Sequence, residues 1–261
     1  MIDFEQKPSY DVADLVEIVR ILRSPGGCPW DREQDHHSIR RDLLEEAYEV
    51  AEAIDEESPE HLREELGDLL LQVVMHSRME EEAGRANLSD VADGICKKLI
   101  YRHPHVFGDV TVSGSGQVLE NWEELKKKEK HQKTASDSVD AVARSLPGLW
   151  RAEKIQKKAA KVGFDWDSVD GAMAKLREET DELQAAIRDG SNVEEELGDL
   201  LFAAVNVARF VKTDPEGAMT AACDKFARRF RAVEEAAQAQ GRELSSMTLA
   251  EMDALWDAVK Q

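Results

Sequence analysis

A chain of 261 residues, 42% hydrophobic and 34% charged, is long enough for one large domain or two ordinary ones, each with a substantial core. Its formal net charge of −20 excludes a nucleic-acid polymer as the main partner, because such binding rests on basic patches that neutralise phosphates. No apolar run approaches the roughly 20 residues that cross a bilayer, and residues 1–11 lack the basic and apolar pattern of a leader, so no membrane partner and a cytoplasmic location are expected.

Val12, Leu15, Val16, Val19 and Leu22 recur at three- and four-residue steps and predict an amphipathic first helix, ended by Pro25-Gly26-Gly27. Cys28 follows, far in sequence from Cys96 and Cys223, so neither disulfides nor a thiolate zinc site is expected. Leu43, Ala47, Val50 and Ile54 predict the next helix, and Ser58-Pro59 separates it from a third. That third helix contains Glu64-Glu65-Leu66-Gly67-Asp68-Leu69-Leu70-Leu71, and the pattern returns as Glu195-Glu196-Leu197-Gly198-Asp199-Leu200-Leu201-Phe202. The flanking landmarks return in the same order. Gly27-Cys28-Pro29-Trp30-Asp31 answers to Gly163-Phe164-Asp165-Trp166-Asp167, and Glu45-Glu46-Ala47-Tyr48-Glu49 to Glu178-Glu179-Thr180-Asp181-Glu182. Lys98 and Arg102 answer to Lys225 and Arg229, and Trp122 and Lys126 to Trp256 and Lys260.

This order implies a duplicated all-α module of about 120 residues, an ordinary domain size. The first copy is expected over residues 1–127 and the second over 145–261. Residues 128–144, basic and then small and polar, read as a solvated, mobile linker. In the second copy Asp189-Gly190-Ser191-Asn192 makes the connection that Ser58-Pro59 makes in the first. Each acidic pair of helices is thus an antiparallel hairpin, the unit of helical bundles. The seven histidines all precede residue 132 and share no metal-ligand spacing, so they read as turn and packing residues.

Helical positions three or four apart lie on one face. Glu179 and Glu182 therefore point together, as do Glu196 and Asp199, with Glu178 partly on the first face. If the hairpin packs antiparallel, these side chains converge into a set of hard oxygen ligands of the kind Mg²⁺ takes. The first copy offers Glu46, Glu49, Glu65 and Asp68 at the same spacings. Asp199 sits among Leu197, Leu200, Leu201 and Phe202, and a carboxylate near an apolar core is costly unless it is neutralised. Gly198 lowers helix propensity beside it, which suggests a close backbone approach. A polyphosphate also needs cations. Lys225 and Arg229, four apart, can contact phosphate oxygens with Lys260 as a further donor, and Trp256 offers a stacking surface for a base.

With these motifs in view, the sequence resembles the MazG family, whose hallmark is Glu-Glu-x-x-Glu followed by Glu-x-x-Asp on the next helix. Glu178-Glu179-x-x-Glu182 with Glu196-x-x-Asp199 satisfies it, and so does Glu45-Glu46-x-x-Glu49 with Glu65-x-x-Asp68. The likeness extends to Gly-Cys-Pro-Trp-Asp at 27–31, Arg-His-Pro-His-Val-Phe-Gly at 102–108 and Lys-Val-Gly-Phe-Asp-Trp at 161–166. The resemblance implies tandem all-α pyrophosphohydrolase bundles, dimeric, cleaving nucleoside triphosphates to monophosphate and pyrophosphate with Mg²⁺ or Mn²⁺. It implies that the second copy is the active one. Glu179, Glu182, Glu196 and Asp199 would be the metal ligands, and Glu178 or Glu179 would orient the attacking water. Lys175 to Glu179 would lie along the nucleotide, Lys225 and Arg229 on phosphate, and Trp256 and Lys260 beside them. Lys98, Arg102, Trp122 and Lys126 are the first-copy equivalents. The rival expectations are a narrower pyrophosphohydrolase for dUTP or phosphoribosyl-ATP, and a helical protein that binds nucleotides without cleaving them. A di-iron bundle is disfavoured, because the hairpins carry Glu-x-x-Asp where such sites carry Glu-x-x-His.

Overall fold

The computed structural model describes residues 4–129 and 134–260, and all regular structure among them is helical. The chain divides into two units, residues 1–126 and 127–261. No helix among the described residues is long and apolar enough to cross a membrane.

The first unit contains α1 (Val12–Leu22), α2 (Pro29–Glu33), α3 (Arg40–Asp55), α4 (Pro59–Glu82), α5 (Leu88–Arg102), α6 (Pro104–Phe107) and α7 (Ser115–Glu129). Asp11 caps α1 in a reciprocal box with Asp14, satisfying two otherwise orphaned N–H groups. The Ser58 hydroxyl accepts from the His61 N–H, and Pro59 fills the first turn of α4, where no intrahelical N–H bond is lost. The apolar stripe of α1 packs on α4. Val19, Ile39, Val74, Met75 and Met79 form the core, with Leu15, Val16, Leu71 and Leu88 against it. Burying each such side chain contributes about 1.5–3 kcal/mol.

The second unit contains α8 (Ala135–Asp140), α9 (Gly148–Ala160), α10 (Val169–Asp189), α11 (Val193–Phe210), α12 (Pro215–Ala239) and α13 (Leu249–Val259), with a short 3₁₀ turn at Leu244–Ser246. Residues 135–140 fall inside the stretch expected as linker. They form a helix capped by Thr134 that packs on α9 and buries Ser138, so its small polar residues serve as cap and contact. Gly190, at φ 67, ends α10 in the left-handed region where glycine is unstrained, and Asn192 opens α11. The resulting antiparallel hairpin has a seam of small residues. Ala172, Glu179 and Ala186 recur every seventh residue along α10, and Glu196 and Ala203 do so along α11; all but Glu196 are buried. Small side chains at such a seam let two helix axes approach closely.

Both units leave apolar stripes uncovered. Val91, Ile95 and Leu99 on α5 are 44–46% exposed, and Met219, Phe226 and Phe230 on α12 are 46–58% exposed. Cys96 and Cys223 are free and exposed, at matching positions on these two helices.

Candidate active site

The α10–α11 hairpin brings three carboxylates together. Oxygens of Glu179, Glu196 and Asp199 lie within 4.8 Å of one another, with Glu179 buried, Glu196 half-buried and Asp199 exposed. Spacing explains the convergence: Glu196 and Asp199 are three residues apart on one face of α11, and Glu179 opposes them from the seam of α10. Glu182 lies outside this tight group. It faces Lys175 at 4.0 Å and shares a hydrogen bond with Glu179. Partial desolvation, followed by that hydrogen bond, raises its pKa.

Lys175 supplies the positive charge. Its ammonium lies 2.7 Å from Glu178 and 2.6 Å from Glu179. The hydrogen bond to Glu178, then that to Glu179, holds its pKa well above the ordinary lysine value. Glu178 is exposed and has no place in the converging trio.

Lys225 and Arg229 lie four residues apart on α12, and neither forms an ion pair among the described residues. Trp256 on α13 packs against Phe226 with ring centroids 5.2 Å apart, and Lys260 is paired with Asp257 at 2.8 Å. No direct contact among the described residues joins Lys225, Arg229, Trp256 or Lys260 to the carboxylate trio.

The first unit repeats the hairpin with differences. Glu46, Glu49 and Glu65 come within 4.8 Å of one another, and Glu65 is buried. Asp68 stays outside that trio but helps to raise the Glu46 pKa, after burial, which is the leading cause. Glu45 is exposed beside Glu46. Lys175 has no counterpart, since the residue four before Glu46 is Asp42. Instead, His61 approaches Glu65 at 3.1 Å and Glu56 at 2.9 Å, and its hydrogen bond to Glu56 raises its pKa. Arg102 and Lys126 both stack over Trp122, at 5.1 and 4.9 Å from the ring centroid, while Lys98 is exposed.

Two expectations about Asp199 fail. Leu197, Leu201 and Phe202 are 42–46% exposed, so Asp199 is not embedded in a core of its own unit. A Cβ at Gly198, or at Gly67, would meet nothing within 4 Å, so no other described part of the chain makes a close approach at either glycine. Spacing also gave no sign of a histidine pair. His36 and His76 touch through their Nδ1 atoms at 2.7 Å, and His36 Nε2 lies 2.8 Å from Glu80.

Comparison with known proteins agrees with this duplication. Residues 34–107 and 168–233 each match the family model described as the MazG nucleotide pyrophosphohydrolase domain. The chain is 46% identical over 252 residues to the nucleoside triphosphate pyrophosphohydrolase of Escherichia coli, covering 95% of this chain and 96% of that protein. It is 43% identical over 247 residues to the nucleoside triphosphate pyrophosphohydrolase/pyrophosphatase MazG of Thermotoga maritima, covering 95% and 94%. The uncharacterized protein YabN of Bacillus subtilis is 49% identical over 261 residues, and there the match spans 53% of the longer protein.

Proposed function

The chain belongs to the MazG nucleotide pyrophosphohydrolase family, and from that premise we propose that its second unit hydrolyses nucleoside triphosphates to monophosphate and pyrophosphate. The observation that carries the assignment is the convergence of Glu179, Glu196 and Asp199 within 4.8 Å across one hairpin. The donor set suits a hard divalent cation: every ligand is a carboxylate, and Lys175 sits at 2.6 Å from the buried Glu179 as the local positive charge. Glu179, Glu182, Glu196 and Asp199 would hold Mg²⁺ or Mn²⁺. When bound, the ion supplies charge neutralisation and Lewis acidity at the phosphates.

The chain's own groups do the rest. Water attacks the α-phosphorus in line, the bond from that phosphorus to the bridging oxygen of the β-phosphate breaks, and pyrophosphate leaves with the bond's electrons. Glu178, outside the trio and exposed, accepts the water's proton. Lys175 holds Glu178 in place through their 2.7 Å contact. Lys225, Arg229 and Lys260 oppose the negative charge of the polyphosphate, and Trp256 contacts the nucleotide. Asp42 in place of Lys175, together with Arg102 and Lys126 stacked on Trp122, supports a non-catalytic first unit.

The uncovered stripes on α5 and α12 support a homodimer, since contiguous exposed apolar surface marks an interface. The composition suits a cytoplasmic protein. Incubation of the purified chain with each nucleoside triphosphate and Mg²⁺ tests the activity, with monophosphate and pyrophosphate separated chromatographically. Equimolar release of the two is expected. Intact triphosphate with every base would leave a nucleotide-binding protein without turnover.

A further inference from the structure

A row of hydrogen-bonded groups in the first unit ends on a buried nitrogen. Arg85 donates to both oxygens of Glu80, at 2.8 and 2.6 Å. Glu80 Oε1 lies 2.8 Å from His36 Nε2, and His36 Nδ1 lies 2.7 Å from His76 Nδ1. His36 belongs to the connection between α2 and α3, while His76 and Glu80 stand one turn apart on α4. The two imidazole rings are parallel to within 4°, with centroids 5.0 Å apart. Nitrogens at 2.7 Å are too close for rings stacked face to face, so the rings meet edge to edge, one nitrogen aimed at the other.

Counting hydrogens fixes the state of this pair. Each neutral imidazole carries one N–H. Glu80 is ionised, its pKa held down to about 2, chiefly by Arg85, and a carboxylate only accepts. The hydrogen of His36 is therefore on Nε2, its Nδ1 is a bare acceptor, and His76 donates to it from Nδ1. His76 Nε2 is left bare, buried and without a partner. A third hydrogen has no good place. On His76 Nε2 it would be a buried donor with nothing to accept it, and at the Nδ1 contact it would set two N–H groups against each other at 2.7 Å. The contact is thus a bond between uncharged rings, and proton uptake opposes it. Burial, and then the charge of His36, lower the His76 pKa in the same direction.

The surrounding charges do not reverse this. Glu80 is already shared by His36 and Arg85. In the connection itself, Asp35 accepts from the backbone N–H groups of His37 and Ser38, at 2.8 Å each, and its own N–H donates to Ser38 Oγ. From the end of α1, Arg23 donates to the carbonyls of Asp31 and Gln34 and pairs with Glu82 of α4. Arg78 pairs with Glu81 and Glu82, and Arg40 and Arg41 in the first turn of α3 are exposed. Gln72, one turn before His76 and 8% exposed, leaves its Oε1 buried and unpartnered, so no hydrogen bond joins it to His76.

We infer that His36 and His76 form a proton-released clasp, which ties the connection before α3 to α4 while both rings are neutral and lets go when the pair is charged. The clasp sits at the end of the α3–α4 hairpin remote from Ser58-Pro59, on the two helices that bring Glu46, Glu49 and Glu65 together. Protons reach it from solvent, since the His36 side chain is 39% exposed. A base whose folded pKa lies below its unfolded one, near 6.5, binds protons more readily once released. The clasp is therefore fully present above that value and weakens as the pH falls below it.

The test uses the full chain. Imidazole nitrogen NMR, assigned by the signals lost in His36→Gln and His76→Gln, reads the tautomers directly. At about pH 7.5 His76 should carry its hydrogen on Nδ1 and be bare at Nε2, and His36 the reverse. A hydrogen on His76 Nε2, or a charge on either ring at that pH, overturns the clasp. Backbone hydrogen exchange over residues 29–39, corrected for the intrinsic effect of pH, reads the attachment. Between about pH 7.5 and about pH 5 the protection of the wild type should fall about threefold or more. His76→Phe, a ring with no nitrogen to titrate, should start from lower protection and change by less than about twofold. An equal fall in both refutes the inference. So does protection that rises in acid, as it would if Gln72 Oε1 captured the third hydrogen. Where circular dichroism shows His76→Phe unfolded, His76→Gln decides, because its amide turns over to donate or accept and should likewise be insensitive to pH.

Discussion

The Lys175 ammonium lies 2.6 Å from the Glu179 carboxylate, one helical turn farther along α10, at the centre of the acidic cluster. The lysine thereby occupies the position of local countercharge that a metal ion would share. In Lys175→Met the carboxylates lose that charge and should depend more on a divalent ion. The melting temperature without divalent ions is expected to drop, and the rise on adding Mg²⁺ is expected to exceed that of the wild type. Turnover should fall at least tenfold, because Glu178 loses its anchor. Thermal melts at several Mg²⁺ concentrations check the first expectation, and pyrophosphate release the second.

Glu196→Gln and Asp199→Asn preserve shape and remove one charge each from the trio. About a 100-fold or greater loss of kcat is expected from either, since each would be a ligand of the divalent ion whose charge neutralisation at the phosphates is worth several kcal/mol in such chemistry. Glu182→Gln should lose as much, by removing the partner of Glu179. Wild-type turnover in all three would be incompatible with chemistry at this hairpin.

In the first unit, Glu65→Gln should leave turnover within about twofold of wild type, because the cluster there has Asp42 in the place of Lys175. The substitution should instead act on stability, since Glu65 is buried and bonded to His61. A tenfold loss of turnover with an unchanged melting temperature would place chemistry in both units.

Glu80 sets an acid limit on the first unit. Its hydrogen bonds to Arg85, chiefly, and to His36 hold its pKa down to about 2. A carboxylate whose folded pKa lies below its unfolded one adds stability above the unfolded value, near 4.5, and loses it as the pH falls toward 2. Denaturant midpoints of the wild type should therefore decline over that window. Glu80→Gln should start lower at neutral pH and decline less steeply, and parallel curves would show that the pairing adds nothing in solution.

A homodimer built on the uncovered stripes predicts that Ile95→Glu, which charges the stripe of α5, halves the mass in solution measured by light scattering. A chain that is monomeric before and after the change would assign those stripes another role.

The duplication and the acidic hairpins are legible in sequence because they are local: Glu179 with Glu182 and Glu196 with Asp199 need only helical periodicity. Helix ends are legible for the same reason, as at Ser58-Pro59 and Gly190. What required coordinates is non-local or depends on surroundings. Gln156 and Asn206 are fifty residues apart and share a cleft, and His36 and His76 are forty apart and touch. The helix at 135–140 hid behind a linker-like composition, and its cap, Thr134, is a residue that turns and helix starts use alike. Asp199 misled because its apolar neighbours face outward in this unit, where neighbouring letters cannot reveal which side of a helix is covered.

The alanine seam between α10 and α11 sets the gauge of the acidic cluster. Ala172 and Ala186 flank Glu179 at seven-residue intervals, and Ala203 follows Glu196 at the same interval, so their methyl groups govern how far apart the opposing oxygens stand. Mg²⁺ binds oxygen at about 2.0–2.1 Å and Ca²⁺ at about 2.3–2.6 Å, a difference smaller than one added methyl group imposes on two packed helices. In the proposed metal site, discrimination between these ions would thereby be delegated to side chains that never touch them, and a lineage that enlarged Ala203 would retune that preference with every proposed ligand left in place.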